Sequence, residues 1–176
     1  LAADGKGGKS LGVVMGDVDD DGDLDIYVTN DVTPNVLFRN DGSGVFENVG
    51  FLAGVDDSRN GMGVDMGDVD NDGDLDIICT NWQTQTNVLY QNSRLRLDDR
   101  PTYDGFDDGT LTMGLGHTSL GHTGWGAQFA DFDNDGHLDL YVANGYTSPG
   151  EGAATVCLAQ ADQIFRGSGE RFAPVE

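Results

Sequence analysis

The stretch Asp17-Val18-Asp19-Asp20-Asp21-Gly22-Asp23-Leu24-Asp25 reads D-x-D-x-D-G-x-x-D, and the rest of the chain is organised around it. It returns as Asp68-Val69-Asp70-Asn71-Asp72-Gly73-Asp74-Leu75-Asp76 and as Asp131-Phe132-Asp133-Asn134-Asp135-Gly136-His137-Leu138-Asp139. Three copies in 176 residues make the pattern an internal repeat. The chain carries 31 acidic against 9 basic side chains, a formal charge of −22. Twelve of the 31 acidic residues stand at the four repeated Asp positions, so much of the charge is organised rather than spread over a solvated surface.

Two unit charges about 4 Å apart repel by about 4 kcal/mol at an effective dielectric of about 20. A sequence that forces four carboxylates together three times therefore implies a counter-charge. Positions 1, 3 and 5 offer side-chain oxygens: Asp17, Asp19 and Asp21; Asp68, Asp70 and Asp72; Asp131, Asp133 and Asp135. Glycine at position 6 permits a sharp turn. Position 7 is Asp23, Asp74 and His137, a freedom that suits a backbone carbonyl ligand. Asp25, Asp76 and Asp139 at position 9 close the shell. Oxygen-only ligation with a high ligand count favours Ca²⁺ over Mg²⁺, which keeps more of its waters, so about three calcium ions are expected, one per loop. An EF-hand would place Glu at position 12; this chain has Val28, Cys79 and Val142 there. Plain solvated acidic turns would leave the repeated convergence unexplained.

The flanks repeat with the loops. Leu11-Gly12, Met62-Gly63 and Trp125-Gly126 precede them. Leu24–Asn30, Leu75–Asn81 and Leu138–Asn144 follow, alternating with period two and rich in β-branched and aromatic residues, which reads as strand. Leu24, Ile26 and Val28 share one face with their equivalents Leu75, Ile77, Cys79 and Leu138, Leu140, Val142. Cys79 is thereby a buried structural thiol. A further strand, Asn35–Asn40, is echoed by Asn87–Asn92 and Asp162–Arg166, and Gly-rich turns at 41–44 and 167–169 lead into hairpin partners. The pattern predicts an all-β chain of three β-propeller blades, each of four antiparallel strands with the acidic loop between its first two. The expected division is 1–61, 62–122 and 123–176, with insertions at 93–100 and 147–161. Residues 153–163 are the one candidate for a short helical turn.

The order G-D-x-D-x-D-G-x-L-D-hydrophobic-hydrophobic, preceded by the apolar-Gly pair, resembles the FG-GAP (VCBS-type) repeats that build the propeller of integrin α chains and many bacterial surface proteins. The phrases Asn35–Gly42, Thr123–Gly136 and Leu140–Gly145 are similar to the cartilage-acidic-protein-like proteins. The resemblance implies a calcium-stiffened adhesion or interaction module outside the cytoplasm: extracellular, at the cell surface or periplasmic. Its partner would be a protein or a glycan. Propellers take about four to eight blades, so the expectation is part of a larger propeller, or one that other chains complete.

Two other function classes stand beside this one: the propeller scaffold of a polysaccharide lyase or hydrolase, and a structural subunit of a surface assembly. No nucleophile–base constellation, phosphate loop or dinucleotide fingerprint is present, so the chain is not read as an enzyme. The acidic balance argues against nucleic acid, which needs clustered Lys and Arg. No run reaches the apolar length of a membrane span. Trp82, in the connection after a strand, is the candidate to stack on a sugar ring, while Trp125 is expected to pack between blades. His117 and His122 flank a Thr-Ser-Leu-Gly turn; solvated loop histidines are the ordinary reading and a transition-metal pair the sharper one. Asp98-Asp99 and Asp107-Asp108 read as surface charge.

Overall fold

The computed structural model describes residues 8–93, 105–146 and 159–175. Among the described residues, twelve strands form three four-stranded antiparallel sheets. The first blade is β1 (Ser10–Gly16), β2 (Asp25–Asn30), β3 (Val36–Asn40) and β4 (Phe46–Asn48). A one-turn helix, α1 (Gly50–Ala53), leads to the second blade: β5 (Val64–Gly67), β6 (Asp76–Cys79), β7 (Val88–Asn92) and β8 (Phe106–Asp108). The third is β9 (Gly124–Ala130), β10 (Asp139–Asn144), β11 (Gln163–Gly167) and β12 (Phe172–Pro174). In each sheet the strands run in sequence order, so each blade is an up-and-down meander. The acidic loops join the first strand to the second, as the sequence predicts.

The first strands of adjacent blades lie against one another, and there the apolar-Gly pair finds its reason. A Cβ at Gly12 would stand 2.3 Å from the Met62 carbonyl oxygen, and one at Gly63 would stand 2.6 Å from the Gly126 Cα. Only glycine admits that approach. Thr29 Oγ1 donates across the gap to the Met62 carbonyl at 2.6 Å, and Thr80 Oγ1 donates to the Gly124 carbonyl at 2.8 Å.

Two apolar cores fill the spaces between blades. Val18, Tyr27, Leu37 and Val55 meet Ile77, Cys79, Val88 and Phe106; on the other side of the second sheet, Val69, Ile78 and Leu89 meet Phe129, Leu140, Phe165 and Phe172. The alternation thus marks two buried faces of β6 rather than one. Ile77, Ile78 and Cys79 are all fully buried. Cys79 Sγ lies 3.7 Å from Tyr27 Oη, and burial pushes its thiol up to about 12, consistent with an inert structural cysteine.

At the opposite end from the acidic loops, one device closes all three connections between second and third strands. Asn30 N donates to Asn35 Oδ1, Asn81 N to Asn87 Oδ1, and Asn144 N to Asp162 Oδ1, at 2.8, 2.9 and 2.9 Å. The Asn side chains donate to the carbonyls of Pro34, Thr86 and Ala161. With both ends stapled, the residues between can vary in number without disturbing the sheet.

Some expectations are corrected. Trp125 is half exposed and donates its indole N–H to the Gly145 carbonyl at 3.2 Å rather than packing between blades. Residues 159–162 are not helical. The single described helix, α1, was not foreseen: it is capped by Gly54 at φ 76°, a left-handed position that favours glycine. Cys157, Asp98-Asp99 and most of both insertions lie outside the described residues.

Candidate metal centres

Each acidic loop is built by its own side chains before any ligand is considered. Asp17 accepts the N–H groups of Asp21 and Gly22, Asp68 those of Asp72 and Gly73, and Asp131 those of Asp135 and Gly136, all between 3.0 and 3.2 Å. Position 4 is left-handed in every copy: Asp20 at φ 58°, Asn71 at 60° and Asn134 at 61°. Asp and Asn tolerate that conformation better than other side chains, which explains their use there. Gly22, Gly73 and Gly136 follow at φ 93°, 98° and 90°.

This turn brings three carboxylates together in each blade: Asp17, Asp19 and Asp25; Asp68, Asp70 and Asp76; Asp131, Asp133 and Asp139. Within each set, one oxygen from every residue lies within 4.8 Å of the others, a spacing that could hold a cation. Position 5 stands apart from these sets. Asp21, Asp72 and Asp135 instead accept the N–H two residues on, those of Asp23, Asp74 and His137.

Position 9 has a second role that the sequence did not disclose. Asp25 accepts the N–H groups of Val18 and Asn40, Asp76 those of Val69 and Asn92, and Asp139 those of Phe132 and Gly167. Each buried carboxylate therefore pins the acidic loop to the end of the third strand. Asn92 extends the pin across blades, because its side chain donates to the Val18 carbonyl at 2.9 Å. Loops 2 and 3 also touch, with Asn71 Nδ2 2.9 Å from His137 Nδ1.

The electrostatics are those of anions held where water is scarce. Burial, opposed by the Asn92 and Val69 N–H groups, pushes the Asp76 carboxyl up to about 7. Burial, then Asp25 and Asp21, pushes Asp19 up to about 6. Asp25 and Asp70 move in the same direction, also chiefly through burial. The Asp19 side chain is only 6% exposed, and its Oδ1 is buried with no hydrogen-bond partner. A buried carboxylate oxygen left without a donor is costly. A cation bound among Asp17, Asp19 and Asp25 would remove that cost, so the residues present fit one.

Sequence reasoning also missed the residue on the third strand that faces position 3. Arg39 Nε stands 4.0 Å from Asp19 Oδ2, Gln91 Nε2 donates to Asp70 Oδ2 at 2.9 Å, and Arg166 pairs with Asp133. The signal was available in the third-strand repeat, where Arg39, Gln91 and Arg166 occupy the same column. Among the described residues, neither His117 nor His122 belongs to a cluster of metal-ligating side chains.

Acidic loops between the first two strands of repeated four-stranded blades define an acidic-loop type of propeller repeat. Residues 5–79 match the FG-GAP-like repeat and residues 123–157 the FG-GAP repeat, together more than half of the sequence. The chain belongs to the FG-GAP repeat proteins. It is 30% identical over 137 residues to cartilage acidic protein 1 of Xenopus tropicalis, 32% over 139 residues to that of Mus musculus, and 31% over 137 residues to that of Homo sapiens. Each match covers 76% of this chain and 19% of the relative, so the chain spans about a fifth of their length.

Proposed function

We propose that the chain is a calcium-binding stretch of an FG-GAP propeller that acts outside the cytoplasm as a protein-interaction module without catalytic activity of its own. The observation that carries this reading is the Asp triad, formed in the same way three times, with a buried and unpartnered oxygen on Asp19. The ligands would be Asp17, Asp19, Asp21 and Asp25 with the Asp23 carbonyl; Asp68, Asp70, Asp72 and Asp76 with the Asp74 carbonyl; and Asp131, Asp133, Asp135 and Asp139 with the His137 carbonyl. Position 5 would turn inward when the ion binds. Calcium supplies positive charge, which offsets the burial of the carboxylates and fixes the turn that starts each blade. A fold that depends on such oxygen sites suits compartments where calcium is plentiful. The relatives and the repeat type favour a protein partner; no observation favours a glycan or a glycan-cleaving activity.

The chain is divided into blades at 1–61, 62–122 and 123–176. The outer faces of the first and third blades support a role as consecutive blades of a larger or assembled propeller. Leu24 and Met15 are 58% and 61% exposed, whereas their equivalents Leu75 and Met66 each lie close against Gly16 of the preceding blade. Phe132 is 52% exposed, whereas Val18 and Val69, at the same position, are 3% and 1% exposed between blades.

The test is stoichiometry. Dialysed against calcium and measured by elemental analysis, the chain should hold three calcium ions, and a chain with Asp70→Asn and Asp76→Asn together should hold two. Absence of bound calcium in the unsubstituted chain would overturn the reading.

A further inference from the structure

The three loops share the carboxylates that converge and differ in what faces the second of them. In the first blade that neighbour is Arg39, in the third Arg166, and in the second the uncharged Gln91. The three positions are structurally equivalent, since the next residue in each case donates its N–H to the position-9 carboxylate. A guanidinium stays charged at any ordinary pH and is thus a permanent cation at the rim of the site. It repels an incoming divalent ion and draws on the charge of an oxygen that would otherwise be free to ligate it. Gln91 fixes the same oxygen through a neutral N–H and leaves the carboxylate charge whole.

The first and third blades differ further. Glu47 stands opposite Arg39 in the strand ladder and offers its guanidinium a second acid, whereas Ala173 stands opposite Arg166. Position 7 is Asp23 in the first loop and His137 in the third, so the third loop also carries less acid.

We propose that the three cation sites are graded. The site of Asp68, Asp70 and Asp76 is the tightest, that of Asp17, Asp19 and Asp25 intermediate, and that of Asp131, Asp133 and Asp139 the weakest, with Arg39 and Arg166 as built-in counter-ions that calcium must displace. This rests on the reading of the loops as calcium sites and deepens it. At low calcium only the central blade holds its ion, and the arginines hold the carboxylates of its neighbours. As calcium rises, Arg39 is released before Arg166, so the central blade sets first and the third blade last.

The experiment is calorimetric titration of calcium chloride into the chelator-treated full chain, paired with thermal unfolding in EDTA. Arg166→Gln should tighten the weakest class of sites by about tenfold or more, and should lower the unfolding midpoint in EDTA because an internal counter-ion is lost. Gln91→Arg should weaken the tightest class by a similar factor. Arg171→Gln changes the net charge as Arg166→Gln does, on a side chain that lies against Gly114 rather than in an ion pair with a triad carboxylate, and should leave every class unchanged. Calcium binding in which Arg166→Gln behaves like Arg171→Gln, or in which Gln91→Arg leaves the tightest class intact, overturns the grading and leaves the calcium reading standing. No calcium heat in any variant overturns both.

Discussion

The central blade and the first blade are written in nearly the same residues and live in different surroundings. Ile77 and Cys79 in β6 are buried against the first blade, while Ile26 and Val28, their equivalents in β2, are only half buried. Position for position, the same alternation serves as a core where a neighbouring blade covers it and as a surface where none does. The inward-facing Thr behaves alike. Thr29 and Thr80 each reach a carbonyl of the next blade, and the third blade has Ala143 at that position. Propeller blades are therefore poor folding units by themselves, and stability lies largely in the spaces between them.

That contrast can be broken by substitution. Ile77→Ala should cost about 3–4 kcal/mol in urea denaturation and Ile26→Ala less than half of that, because cavity cost follows burial. Equal losses would mean that the outer face of the first blade is covered in solution. The cross-blade carboxylate comes next. Asp65 Oδ2 accepts the Phe129 N–H at 2.6 Å and the Gln128 amide at 2.9 Å, and its first-blade equivalent is Val14. Asp65→Ala should cost about 2 kcal/mol, the scale of a charge-assisted hydrogen bond whose donors are left behind. Thr80→Val follows, at about 1–1.5 kcal/mol, since it strands the Gly63 N–H and the Gly124 carbonyl. Ala143→Thr in the third blade should stay within about 0.5 kcal/mol, the ordinary range for a change with no partner to gain. A clear stabilisation there would show a further neighbour.

The local part of this architecture was legible in the sequence because it is written locally. The nine-residue loop, the Gly before it and the period-two strands each occupy adjacent residues, and repetition removes the ambiguity of any single copy. The long-range part was not. Nothing near Asn92 announces a hydrogen bond to Val18, and nothing near Asp65 announces Phe129 as its partner, because both bonds exist only once two blades are side by side. β8 was expected only as the unplaced fourth strand of its blade, because it is three residues long; Asp107-Asp108, read as surface charge, is exposed and also part of that strand. At position 9 the Asp residues were read as ligands alone. Their second task, accepting two N–H groups each, depends on where the third strand ends, which spacing does not give. Trp125 misled because its alignment with Met62 suggested the same burial, whereas Met62 is 4% exposed and Trp125 49%.

On the calcium reading, the acidic loops stabilise the blades by holding the ion. At millimolar free calcium, a site with affinity a hundredfold tighter than that concentration contributes about 2.7 kcal/mol to folding. For a chain of this size each kcal/mol moves the unfolding midpoint by about 2–4 °C. Thermal unfolding followed by circular dichroism, in calcium and again in EDTA, tests this directly. A midpoint lower in EDTA by about 10 °C or more, restored by adding calcium back, is the predicted result. The same midpoint under both conditions would contradict it.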